Sequence, residues 1–193
     1  MMRSEEISMQ NGKNFLKENN VKKLINLYGG PGIGKSVFAA RLYTELSMRE
    51  LCVELVGEYA KELIWQKDYD KLKYQPFVTK GQIKKLAPVG QCNIVITDSP
   101  LMLGLIYAKN EQHAKKSFKL IKDWHCNMEG VDEINILLKR DRSGYQENGR
   151  MESLEEASKK DEEIEKLLIN HSIPYTSYSN LIHPAEVIRD LFS

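Results

Sequence analysis

The stretch Gly29-Gly30-Pro31-Gly32-Ile33-Gly34-Lys35-Ser36 packs four glycines, a lysine and a serine into eight residues. Backbone without side chains can curl its N–H groups inward around an anion, a path that Cβ atoms would obstruct. The spacing G-x-x-x-x-G-K-S is that of a phosphate-binding loop, the P-loop. The helix expected to start behind it adds unpaired N–H groups and a partial positive charge. In that chemistry Gly29, Gly30, Pro31, Gly32, Ile33, Gly34, Lys35, Ser36 and Val37 form the cradle for a nucleotide's phosphates. Lys35 reaches the β- and γ-phosphates, and the Ser36 hydroxyl ligates Mg²⁺.

A glycine-rich turn between a strand and a helix could have the same composition and bind nothing, so the flanks matter. The run KKLINLYG ahead of the loop reads as a buried strand. Behind the loop, KSVFAARLYTELSMRE carries Val37, Phe38, Leu42 and Leu46 at helical spacing. Strand, loop and helix therefore follow in the order that the phosphate site requires.

The same alternation continues along the chain. Strands are expected at Leu51 to Val56, in CNIVITDSP, in EINILLKR and in IPYTSYS. Helices are expected between about Tyr59 and Leu86, in LMLGLIYAKN, in AKKSFKLIKDWHCNM, in MESLEEASKKDEEIEKLLINH and in HPAEVIRDLF. The fourth of these is strongly amphipathic, with Leu154, Ala157, Ile164, Leu167 and Leu168 inward and Ser153 or Glu152 as cap. Nearly all-apolar strands alternating with helices imply a parallel sheet covered on both faces. Ligands of such sheets bind at the carboxyl ends of the strands. The residues that follow each strand are thus the candidates for chemistry.

Asp98 ends an apolar strand in the manner of a Walker B aspartate and would hold Mg²⁺ beside Ser36; capping the helix expected near Leu101 is the alternative. Glu58, at the tip of the second strand, could orient an acceptor hydroxyl and take its proton. It could equally open the next helix and favour its positive end. Whether Glu58 or Asp98 serves as base is open at this point. KRDRSGYQENGR places Arg140, Arg142 and Arg150 around a glycine-containing loop. Residues 139–152 can act as a lid that brings arginines over a transferring phosphoryl group, with Arg142 and Arg150 as the catalytic pair. Between Glu58 and the third strand lie seven lysines (61, 67, 71, 73, 80, 84 and 85) with Tyr59, Trp65, Tyr69 and Tyr74. That segment is where an acceptor would be selected.

Bulk properties frame these sites. The 193 residues fit one domain, 1–193, with residues 1–20 as an N-terminal helix or arm. Hydrophobic residues at 41% and charged residues at 28% suit a globular protein, and no run is apolar enough to span a membrane. Without a signal-like apolar stretch, the expected location is the cytoplasm, of the host if the chain is phage-encoded. A net charge of +1 argues against a broad nucleic-acid footprint. Cys52, Cys92 and Cys126 are too scattered for a disulfide framework or a zinc site.

Taken in order and spacing, GGPGIGKS, VGEYAKEL, KDYDKLKYQPFVTKGQIKKL and VITDSP resemble the kinase domain of bifunctional nicotinamide-nucleotide enzymes. They are also similar to the small AAA-type ATPase/kinase proteins of phages and bacteria. The resemblance runs over roughly residues 22–190. It implies an α/β three-layer P-loop NTPase fold of the nucleoside/nucleotide-kinase type, with five parallel strands in the order 2-3-1-4-5. It also implies ATP·Mg²⁺ as donor and a lid after strand four. The function so indicated is transfer of the ATP γ-phosphate to a nucleoside, nucleotide or related small acceptor. Two alternatives stay open: a kinase acting on a modified base in nucleic acid, and a nucleotide-dependent switch module. The chain has no N-K-x-D for guanine and no L-S-G-G-Q, which speaks against a GTP switch or an ABC-type module.

Overall fold

A computed structural model of the chain describes residues 22–49, 51–141 and 154–192. Five strands form one parallel sheet: β1 (Lys22–Tyr28), β2 (Val53–Val56), β3 (Ile94–Thr97), β4 (Val131–Lys139) and β5 (Thr176–Ser179), in the order β2-β3-β1-β4-β5. This is the expected 2-3-1-4-5 order. The helices are α1 (Lys35–Ser47), α2 (Tyr59–Trp65), α3 (Tyr69–Leu72), α4 (Gln75–Lys85), α5 (Glu111–His125), α6 (Leu154–Asn170) and α7 (Pro184–Phe192).

Strand periodicity explains the three layers. On β1, Ile25 and Leu27 point to one face, where they join Ile94, Ile96, Ile136 and Leu138 under α1 and α7. Leu24 and Tyr28 point to the other, packed with Val95, Leu137, Ile121, Ile164 and Leu168. Both faces are buried because neighbouring side chains on a strand alternate and each face carries its own helices. Since all five strands are parallel, the loops after them gather at one edge. Gly29, Glu58, Asp98, Arg140 and Asn180 all follow strand ends there.

The boundaries shift in places for identifiable reasons. LMLGLIYAKN forms only a short 3₁₀ turn, Leu101–Leu105, rather than a helix. Its consecutive Leu101, Met102 and Leu103 are all buried, which no single face of an α-helix could achieve. Helix α5 starts earlier than expected, at Glu111, because the Asn110 side chain caps it by accepting the His113 N–H at 2.9 Å. On α1, Phe38, Leu42 and Leu46 are buried, but Val37 is 66% exposed, so it is not part of the core. On α6, Ala157, Ile164 and Leu168 are buried and Leu167 partly so. The Leu154 side chain, the proposed Ser153 or Glu152 cap and the N-terminal arm fall outside the description.

Candidate functional site

The phosphate loop lies between β1 and α1 as expected. Gly34 precedes α1 at φ +99°, a left-handed conformation that suits glycine. Helix α1 has neither a side-chain cap nor an acid in its first turn, so its leading amides are left for an anion. Lys35 Nζ lies across the loop, donating to the carbonyls of Gly29 at 2.7 Å and Gly30 at 3.1 Å. Burial lowers the Lys35 pKa, and the nearby carboxylates of Glu58, Asp98 and Asp161 oppose that shift. The cation is thus poised for phosphate oxygens that would replace those carbonyls.

Beside it, the Ser36 hydroxyl donates to Asp98 Oδ2 at 2.5 Å. Asp98 sits on a turn fixed by the bond from Ser99 N–H to Thr97 Oγ1, 3.1 Å. Its other oxygen, Oδ1, is buried with no hydrogen-bond partner. Nor does Asp98 cap the 3₁₀ turn, which starts behind Pro100 with no side-chain cap. A hydroxyl and a half-unsatisfied carboxylate next to a phosphate loop form the donor set expected for Mg²⁺.

Glu58 completes the group. It precedes α2 but makes no capping hydrogen bond, and among the described residues its carboxylate carries no salt bridge. It lines the same cleft as Lys35, Ser36 and Asp98. The side chain is exposed to the cleft, whose walls take away part of its water. That desolvation raises its pKa, helped by Asp98 and opposed by Lys35 and Lys61. Its turn is held from α4: Gln82 Oε1 accepts the Tyr59 N–H at 2.7 Å and Gln82 Nε2 donates to Gly57 O at 3.2 Å. The two bonds bracket Glu58.

A feature absent from the sequence reading locks the loop from its other side. Arg140, grouped there with the lid arginines, is instead a buried tether whose side chain is 7% exposed. Its Nε donates to Asp161 Oδ2 at 2.8 Å and its Nη2 to Pro31 O at 2.9 Å. Asp161 Oδ1 accepts the Gly30 N–H at 2.7 Å. A Cβ on Gly30 would lie 2.2 Å from that same oxygen, which explains the glycine. Asn180, after β5, adds a bond from Nδ2 to Ile33 O at 3.2 Å. Asp161 shares the inward stripe of α6 with Ala157, Ile164 and Leu168, and an acid on an apolar stripe was the available signal. Arg142 and Arg150 lie outside the described residues.

Removing one partner of a buried ion pair leaves the other charge stranded. Arg140→Met is therefore expected to lower unfolding free energy by about 3 kcal/mol, and Asp161→Asn, which keeps an acceptor for Gly30, by less. Urea unfolding measures both; wild-type midpoints for the two variants would remove the tether from the account.

Strand order and phosphate loop together define a P-loop NTPase domain. A family model described as an AAA domain matches residues 24–181, and the chain belongs to that family. Among solved structures, it is similar to a NadR protein in complex with NAD and AMP-PNP, with TM-score 0.63 and 16% identity over 88% of this chain and 48% of that one. A NadR protein in complex with NR gives TM-score 0.62 and 16% identity over 88% and 51%. The chain thus spans about half the length of these relatives, and the likeness is one of fold. No curated protein sequence matches it. Among the described residues, no helix is long and apolar enough to cross a membrane.

Proposed function

We propose that this protein is an ATP-dependent phosphotransferase that moves the γ-phosphate of ATP to a hydroxyl of a nucleoside, nucleotide or related small acceptor, working in the cytoplasm. The observation that carries the reading is Glu58, a carboxylate with no salt-bridge partner among the described residues, facing the same cleft as Lys35, Ser36 and Asp98. Binding a nucleotide does not require it, whereas activating an acceptor hydroxyl does. The cleft, about 780 Å³, also extends past the phosphate loop to α2, α4 and the 3₁₀ turn, leaving space for a second molecule.

In this mechanism the amides of α1 and the Lys35 ammonium hold the β- and γ-phosphate oxygens. Mg²⁺, held by Ser36 and Asp98, would draw charge from those oxygens. Glu58 orients the acceptor hydroxyl and accepts its proton as the oxygen bonds to the γ-phosphorus. The bond from that phosphorus to the β–γ bridging oxygen breaks, and ADP leaves with the electron pair. Gln82 keeps Glu58 in place throughout.

The test is transfer from γ-labelled ATP with Mg²⁺ to nucleosides, nucleotides and oligonucleotides, with label followed into product. A labelled small acceptor supports the proposal. Label confined to an oligonucleotide would favour the nucleic-acid kinase, and no labelled acceptor at all would favour a switch. Asp98→Asn keeps the shape but removes the negative charge that the pair of Ser36 and Asp98 brings to the metal. Turnover should drop on the order of a hundredfold with a smaller change in nucleotide affinity; unchanged turnover and Mg²⁺ dependence would take Asp98 out of the metal site.

A further inference from the structure

The acceptor side of the cleft contains two buried polar groups that the phosphate chemistry does not use. Gln75 and Thr79, at 7% and 3% exposure, lie one turn apart on α4 and both line the cleft. Among the described residues the buried Thr79 hydroxyl has no hydrogen-bond partner, and the Gln75 side chain lines the cleft beside it. Buried polar groups are nearly always satisfied, so an unsatisfied hydroxyl on a cleft wall, next to a glutamine amide, calls for a ligand. Gly104 is part of the same arrangement. A Cβ there would lie 2.7 Å from Gln75 Nε2 and 3.4 Å from Thr79 Oγ1, so its bare backbone gives the two side chains their room. Around them the wall is apolar, with Ile64, Leu72, Val78 and Leu103. Apolar sides with an amide and a hydroxyl at the floor suit a flat ring entering edge-first.

Helix α4 also sets the distance. Gln82 holds the turn of Glu58, and Gln75 lies seven residues earlier on the same helix. At about 1.5 Å per residue, the two are about 10 Å apart along the axis. Both ends of an acceptor are thereby fixed: a hydroxyl at Glu58 and a ring edge at Gln75. Among the described residues that line the cleft, Lys35 is the one lysine or arginine. It is committed to the donor phosphates, so the described residues that line the acceptor side offer no cation for a second phosphate. Glu58 would repel one.

We propose that Gln75 and Thr79 are the specificity-determining residues of this site, and that they read the ring edge of an uncharged nucleoside. The edge presents a hydrogen-bond donor beside an acceptor, the pattern that a glutamine amide matches with two parallel bonds. This rests on the phosphotransferase reading and narrows its acceptor from nucleosides or nucleotides to nucleosides.

Calorimetry in the presence of AMP-PNP and Mg²⁺ tests it without requiring turnover. The probes are uridine, inosine and adenosine, their 5′-monophosphates, ribose, and the edge-blocked N3-methyluridine, 1-methylinosine and N6,N6-dimethyladenosine. At least one nucleoside should bind tenfold or more tightly than ribose, its own monophosphate and its blocked analogue. Gln75→Leu and Thr79→Val should each weaken that nucleoside roughly tenfold to a hundredfold, because an unpaired polar edge is then buried. Affinity for AMP-PNP should not change in either variant. No nucleoside binding, monophosphates binding as tightly, or a Gln75→Leu/Thr79→Val double variant that keeps wild-type affinity would overturn the proposal. If the nucleoside binds as expected but receives no label from ATP, the assignment of Gln75 and Thr79 stands and the phosphotransferase reading falls.

Discussion

Lys35→Ala is expected to cut phosphoryl transfer by about a thousandfold, the upper range for loss of one electrostatic contact to a reacting centre, while the protein stays folded. Among the described residues the Lys35 ammonium donates only to the carbonyls of Gly29 and Gly30. Those carbonyls can turn to water when it is removed. Its pKa lies below the usual 10.5, chiefly through burial. The unfolded chain therefore binds that proton more readily than the fold does. The charge costs the nucleotide-free protein stability at neutral pH, and the cost shrinks as the pH climbs to 10.5. Lys35→Ala should accordingly melt no lower than wild type at pH 7, so a lost activity cannot be laid to unfolding. Turnover near wild type in a folded Lys35→Ala protein would sink the assignment of the loop.

The parallel sheet and phosphate loop were legible because both are written in local patterns. All-apolar strands, a helical stripe from Phe38 to Leu46 and the G-x-x-x-x-G-K-S spacing depend on near neighbours. Asp98 and Glu58 followed from a rule about where strands end. Val37 shows the limit of such patterns: helical spacing placed it with Phe38, but the loop turns it out to the cleft, 66% exposed.

The devices that hold the site together were not legible for the opposite reason. Arg140 and Asp161 are 21 positions apart, Gln82 and Gly57 are 25 apart, and Ile33 and Asn180 are 147 apart. Each pair meets only after the sheet has formed, and each involves a polar residue that sequence alone assigns to the surface. Gln75, Thr79 and Gln82 do fall at i, i+4 and i+7 on α4, an inward stripe made of polar residues. That periodicity was visible, but hydrophobicity is the customary marker of a buried face, so it carried no weight.

Glu58→Gln should slow transfer to the best acceptor roughly a hundredfold to ten-thousandfold, the usual contribution of general acid–base catalysis. The amide keeps the size and one acceptor oxygen, so nucleotide binding by calorimetry should match wild type. What is lost is the site for the hydroxyl proton. Because burial raises the Glu58 pKa above 4.5, the wild-type rate should fall at acid pH along a limb displaced upward from that value, and the variant should lack that limb. Stability should move the other way. Above pH 4.5 the fold retains a proton that the unfolded chain has released, so stability declines as the pH rises through the folded pKa. Glu58→Gln removes that decline. It should therefore unfold at higher urea than wild type at pH 7, with no advantage below pH 4.5. A variant both more stable and slower is the signature of a carboxylate kept for chemistry. Transfer at the wild-type rate would move the base to Asp98 or another acid. Failure of the wild type to phosphorylate any acceptor, with nucleotide binding that alters contact with another protein, would make the domain a switch.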